Sequence, residues 1–197
     1  MKISSLLIPD VKVIEPHIFS DDRGLFFESF NHQKFESLIQ KKVSFVQDNQ
    51  SHSNKNVVRG LHYQLQFPQA KLVRVLNGEI YDVAVDLRQN SPTFGRWVAE
   101  FLSAENKKQL WIPEGFAHGF LALTDSVDVL YKTTEYWIAN DEHCILWNDR
   151  TIKIDWPITQ LNEAVLSEKD LMGNSFVEAK FYNNIQNLGD NRLQFGV

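Results

Sequence analysis

The chain has 197 residues, a formal charge of −5 and 43% apolar residues, which suit one domain with a substantial core and exclude general disorder. No basic stripe supplies the counterion release that general nucleic-acid binding needs, although an anionic small ligand stays open because a few local cations outweigh a screened global charge. A single cysteine, Cys144, excludes an internal disulfide and a cysteine-rich metal site; with an apolar N-terminal patch too short for a secretion signal and no stretch of membrane-spanning length, the expected location is cytoplasmic.

Taken in order, Val11, Val13 and the Ile18-Phe19 pair suggest short strands broken by Pro16, and Ser20 to Gly24 is a turn before a strand over Leu25 to Phe30. Asn31 is placed to cap a helix running to Lys42, since Phe35, Leu38 and Ile39 fall at helical spacing and Lys41-Lys42 suit its C-terminal end. Ser44 to Asn49 alternates as a strand. Val57 and Val58 open another, whose continuation Arg59-Gly60-Leu61-His62-Tyr63-Gln64 brings a fixed cation, an imidazole and an amide close together. Simple alternation sets Val58, Gly60 and His62 on one face, unless Gly60 marks a bulge that re-aims them.

Asn77-Gly78 between Lys71–Leu76 and Glu79–Arg88 carries the type I′ hairpin signature. Further strands are expected over Arg96 to Leu102, Gln109 to Ile112, Gly119 to Leu123, Val127 to Thr134 and His143 to Asn148, with Cys144 as a small strand residue. Repeated short strands with one convincing helix argue for an all-β barrel or two-sheet sandwich over a βαβ fold. Ser167 to Asp170 reads as a short helical start, and residues 174–197 read as a polar tail of uncertain order after a single domain over 1–173.

Pro113-x-Gly115-x-x-His118, on a turn leading into a strand, is similar to the second cupin motif. Metal-binding cupins add a His-x-His and a carboxylate in the first motif, where this chain has only His62 beside Tyr63 and Gln64. Two imidazoles make a poor cage for zinc or iron. His118 is therefore expected as a wall of the site or as a hydrogen-bonding group behind it.

The blocks Phe19-x-x-Asp22-Arg23-Gly24-x-Phe26-x-Glu28, Phe45 to Asn49, Arg59 to Gln64, Asp82 to Arg88, Pro113 to Phe120, Leu130-Tyr131-Lys132 and Ser167 to Asp170 occur in one order. Together they resemble the dTDP-4-dehydrorhamnose 3,5-epimerase family over about residues 5–173. The resemblance implies a jelly-roll cupin homodimer with a few short peripheral helices, acting on a dTDP-linked 4-keto-6-deoxyhexose without metal or other cofactor. It implies His62 as the base, Asp170 as the carboxylate on its other nitrogen, Tyr131 as the acid on the opposite face, and Lys71 beside the developing enolate oxygen. Arg23, Gln47, Asn49 and Arg59 are assigned to substrate and diphosphate, with Phe26 and His118 also lining the ligand. Phe19 and Tyr136 are candidates to sandwich the base, and Glu28 to reach the nucleotide from a partner subunit. Three other readings stay open: a single-centre epimerase, a non-catalytic sugar-nucleotide binder, and a metal-dependent cupin oxygenase.

Overall fold

Alternating apolar residues make strands that must bury one face, and in the computed structural model, which describes residues 1–158, 160 and 163–182, two antiparallel sheets do this against each other. The strands are β1 (Lys2–Ser5), β2 (Lys12–Glu15), β3 (Ile18–Asp21), β4 (Gly24–Phe27), β5 (Gln47–Ser53), β6 (Val58–Gln64) and β7 (Lys71–Asn77). They continue as β8 (Glu79–Asp86), β9 (Trp97–Ser103), β10 (Gln109–Ile112), β11 (Phe116–Ala122), β12 (Val127–Thr133) and β13 (Glu142–Cys144). One sheet runs β1-β2-β10-β7-β12-β5, the other β13-β6-β11-β8-β9, and β3-β4 form a separate ribbon.

Between the sheets lies an apolar cluster that includes Val13, Val73, Val75, Ile80, Ala84, Leu110, Phe116, Phe120 and Val129. A second cluster on the outside of the β6-containing sheet gathers Val58, Leu61, Tyr63, Val83 and Val85 beneath Trp147, Trp156, Phe176 and Tyr182. The helix α1 (His32–Ile39) packs Phe35 and Ile39 with Ile14, Leu72 and Trp111 on the outside of the other sheet. No helix among the described residues is long and apolar enough to cross a membrane.

Several local expectations give way to tertiary pairing. Asn31 does cap α1, its side chain accepting from the Lys34 amide at 3.0 Å, but the helix ends at Gln40 in the left-handed conformation. Lys41 and Lys42 therefore lie beyond it, paired with Glu114 at 2.8 Å and Glu36 at 2.7 Å. The expected hairpin at Asn77-Gly78 does not form. Strand β7 pairs with β10 and β12, while β8 pairs with β11 and β9, so the turn is a corner between sheets. The reason is burial: Val73 and Val75 of one arm and Ile80 and Ala84 of the other face the same interior from opposite sides. Gly78 alone takes positive φ there, and the Asn77 amide donates to Ser126 O at 3.1 Å. The strand expected from Ser44 begins at Gln47, and the one expected over His143 to Asn148 ends at Cys144.

The beginning of the expected tail is packed. Asn174 bridges Ile145, Tyr182 bridges Arg88, and the Tyr63 hydroxyl donates to Lys180 O at 2.8 Å. Residues 183–197 lie outside the described residues.

Candidate active site

The site grows from an irregularity in β6. Its register with β11 pairs His62 with His118 but Arg59 with Phe120, so three steps along β6 match two along β11. That extra residue at Gly60 is the bulge, and it inverts the alternation. Val58, Leu61 and Tyr63 all reach the outer cluster, leaving Arg59 and His62 on the inter-sheet face. Gly60 has φ +117°, and a Cβ there would stand 2.5 Å from Gly119 Cα and 2.6 Å from His118 O. Gly60→Ala is therefore expected to destabilise the fold by about 2–3 kcal/mol or more, read as a lowered denaturation midpoint.

His62 Nε2 lies 2.5 Å from Asp170 Oδ1, across 108 residues of sequence. Asp170 is 3% exposed and sits on α2 (Glu168–Leu171), capped by Ser167. The Ser167 hydroxyl donates to Asp170 Oδ2 at 2.8 Å and accepts from the Asp170 amide at 3.2 Å. One carboxylate thus closes the cap and holds the imidazole. Burial works to raise the Asp170 pKa, but hydrogen bonding and attraction from His62, with help from Ser167 and Lys169, hold it below the usual carboxylate value.

The facing wall comes from the other sheet. Tyr131 of β12 stands between Asn49 of β5 and Val73 of β7, and Thr133 two residues on stands between Gln47 and Lys71. Strand periodicity puts Gln47, Asn49, Lys71 and Tyr131 on one face. Burial pushes the Tyr131 phenol up against the opposing field of Arg59. Glu142 acts electrostatically on both Tyr131 and His62, so the inward polar groups of the two walls share one field.

Lys71 is buried, and desolvation brings its ammonium down to about 8 against the attraction of Glu142 and Asp82. Asp82 is fully buried; its Oδ1 holds His118 Nε2 at 2.6 Å, and its Oδ2 has no hydrogen-bond partner among the described residues. Burial lowers the His118 pKa, outweighing Asp82.

Four candidates lie on the ribbon or just after it, away from these walls. Phe19 and Phe26 form a cross-strand pair at 58% and 71% exposure, Arg23 is exposed and paired with Asp21 at 2.6 Å, and Glu28 is paired with Lys34 at 2.9 Å. Tyr136 is exposed on the loop after β12, where its carbonyl accepts from Gln64 Nε2 at 3.1 Å. Gln47 donates to Asn49 Oδ1 at 2.8 Å and accepts from the Trp137 amide at 3.1 Å.

Sequence reasoning passed over Asp82, Glu142 and Cys144. Asp82 was open to discovery, since alternation in β8 puts it on the same face as Ala84. Glu142 has no local signal; it is placed by β13 pairing with β6 and by its 2.7 Å ion pair with Lys169. As for metal ligands, the donor atoms of His62, Cys144 and Asp170 lie within 4.8 Å of one another. Burial and the Asp170 charge push the Cys144 thiol up to about 12.

Two facing antiparallel sheets with this connectivity are a cupin-type jelly roll, here with an interior end lined by imidazole, phenol, ammonium and carboxylate. The family model for dTDP-4-dehydrorhamnose 3,5-epimerase matches residues 5–178, and the chain belongs to that family. It is 56% identical over 179 residues to the dTDP-4-dehydrorhamnose 3,5-epimerase of Pseudomonas aeruginosa, covering 91% of this chain and 98% of that one. Among solved structures, the dTDP-6-deoxy-D-glucose-3,5-epimerase of Legionella pneumophila in complex with dTDP-4-keto-L-rhamnose is 46% identical, with a TM-score of 0.89 over 93% of this chain and 98% of that one. A 3′-monoepimerase from Streptomyces bikiniensis in complex with dTDP-quinovose is more distant, at 32% identity and a TM-score of 0.80 over 87% and 86% of the two chains.

Proposed function

We propose that this protein is a dTDP-4-dehydrorhamnose 3,5-epimerase that inverts C3 and C5 of dTDP-4-keto-6-deoxyglucose by proton transfer through an enolate. The observation that carries this reading is the His62–Asp170 contact on the inter-sheet wall, in a chain that belongs to the epimerase family. Higher identity to 3,5-epimerases than to the 3′-monoepimerase favours inversion at both centres.

A ketone acidifies the C–H bonds on either side of it. With Nε2 held by Asp170, the Nδ1 of His62 is left to take a proton from carbon, and the nearby carboxylate stabilises the imidazolium that forms. Lys71 supplies positive charge for the enolate oxygen. The Tyr131 phenol, kept protonated by its raised pKa, returns a proton from the opposite face. Hydrogen leaves and returns as a proton, so the reaction needs no redox cofactor, and the Lys71 ammonium fills the charge-stabilising role that a metal could otherwise take. Arg59, Gln47 and Asn49 hold the nucleotide diphosphate side, with His118 as part of the wall and Tyr136 against the base.

Phe19, Arg23, Phe26 and Glu28 enter this reading through a homodimer in which the ribbon of one copy covers the cavity of the other. Support comes from the exposed apolar side chains of the ribbon, with Phe19 and Phe26 paired on one face and Leu25, 53% exposed, on the other. Light scattering is expected to give twice the chain mass.

Lys71 makes the account pH-dependent. Its ammonium is charged below about 8, so activity is expected to fall as pH rises through that value, and Lys71→Arg to move the fall to higher pH. The sign for stability is opposite: the folded pKa lies below the 10.5 of an exposed lysine, so burying the cation costs stability below about pH 8 and the cost fades between there and 10.5. Purified protein incubated with dTDP-4-keto-6-deoxyglucose is expected to form dTDP-4-keto-L-rhamnose, and an unchanged substrate would overturn the assignment.

A further inference from the structure

Beside the base, Cys144 stands directly opposite His62 in the β13–β6 register. Its Sγ lies 3.7 Å from Asp170 Oδ1, the same oxygen that His62 Nε2 approaches at 2.5 Å. Cys144 is 9% and Asp170 3% exposed, whereas the His62 side chain is 23% exposed and leads out to the cavity. Imidazole nitrogen, sulfur and carboxylate oxygen thus converge from two strands and a helix, with all three donor atoms within 4.8 Å of one another.

We infer that His62, Cys144 and Asp170 form an inhibitory site for a thiophilic divalent cation such as Zn²⁺ or Cd²⁺. The ion takes the Nε2 lone pair as the imidazole proton moves to Nδ1, displaces the Cys144 proton to solvent, and takes three protein ligands with an open fourth position. Tetrahedral bonds of about 2.0–2.3 Å require donor separations of roughly 3.3–3.7 Å. The sulfur–carboxylate distance of 3.7 Å already meets that, the histidine–carboxylate distance of 2.5 Å has to open by about 0.8 Å, and the nitrogen–sulfur separation, within 4.8 Å, closes as the His62 and Cys144 side chains rotate. Hard cations are excluded, because Mg²⁺ and Ca²⁺ take oxygen ligands and this set offers only one oxygen-bearing side chain.

The site inhibits because, with the ion on Nε2, Nδ1 carries the ring proton and cannot accept one from carbon, and the carboxylate that steadies the imidazolium is taken by the ion. That consequence rests on His62 being the base; the site itself does not. The two are separated by measuring binding as well as turnover.

The experiment uses full-length protein freed of metal. Co²⁺ is expected to give a near-ultraviolet thiolate charge-transfer band at one equivalent, which Zn²⁺ abolishes and Mg²⁺ does not. In folded Cys144→Ser and Cys144→Ala the band is absent, and Zn²⁺ affinity by equilibrium dialysis falls more than about tenfold. Micromolar Zn²⁺ is expected to inhibit the wild type reversibly with EDTA, and both variants far less. A Co²⁺ spectrum without a thiolate band, or equal Zn²⁺ affinity in wild type and variants, overturns the site. Stoichiometric Zn²⁺ binding through Cys144 with full epimerase activity would leave the site standing and overturn the role of His62.

Discussion

His62→Ala is expected to lose about 10²–10⁴-fold or more in turnover while still binding dTDP. The loss follows from geometry. Among the inward polar groups, His62 is the imidazole oriented by a carboxylate and partly open to the cavity, at 23% side-chain exposure. The other inward histidine, His118, is 8% exposed and bound to Asp82, so it cannot take over proton abstraction from a bound sugar. In the proposed reading nucleotide binding draws on Arg59, Gln47, Asn49 and the aromatic side chains, none of which needs the imidazole. Substrate turnover read by NMR, beside dTDP affinity by calorimetry, separates the two effects. Wild-type turnover in the variant would exclude His62 as the base.

Tyr131→Phe is expected to reduce inversion about 10²–10⁴-fold by a different route. The variant keeps the ring that packs against the inter-sheet cluster and loses only the hydroxyl. His62 can still remove a proton and return one to the same face. Deuterium from D₂O is therefore expected to enter the substrate with its configuration retained. Such uncoupling of exchange from inversion distinguishes an acid on the far face from a merely structural tyrosine. Full epimerisation by Tyr131→Phe would remove the phenol from the mechanism.

These two residues also show what was legible in the sequence. Strand periodicity and turn chemistry are local, so the succession of strands, the Asn31 cap and the all-β class could be read from residue order. Which strands pair is not local. The Asn77-Gly78 signal, sufficient for a hairpin in isolation, lost to the requirement that Val73 and Ile80 face one core from two sheets. The phase of β6 was likewise undetermined until β11 fixed it, with Gly60 and Gly119 in close approach.

The site divides along the same line. The family blocks pointed to His62 and Asp170, and 108 residues of separation meant that only folding brings them to 2.5 Å. Cys144 reads in sequence as a small strand residue, and it is one; nothing around it in sequence reveals that it shares a carboxylate oxygen with the imidazole. Glu142 was missed because its influence on His62 and Tyr131 is electrostatic and arises from β13 pairing beside β6. The ribbon residues pose the reverse case. Phe19, Arg23, Phe26 and Glu28 are prominent in sequence, yet in a single chain they stand apart from the cavity, which is why a second copy enters the proposal.

The central claim is that one imidazole and one phenol, on opposite walls and without a metal, exchange protons at both carbons flanking the ketone. Its most direct measurement is NMR of dTDP-4-keto-6-deoxyglucose incubated in D₂O with metal-free enzyme. The account predicts deuterium at both C3 and C5, with both centres inverted in the product. Deuterium at one carbon only, or turnover that appears only after a metal is added, would contradict it.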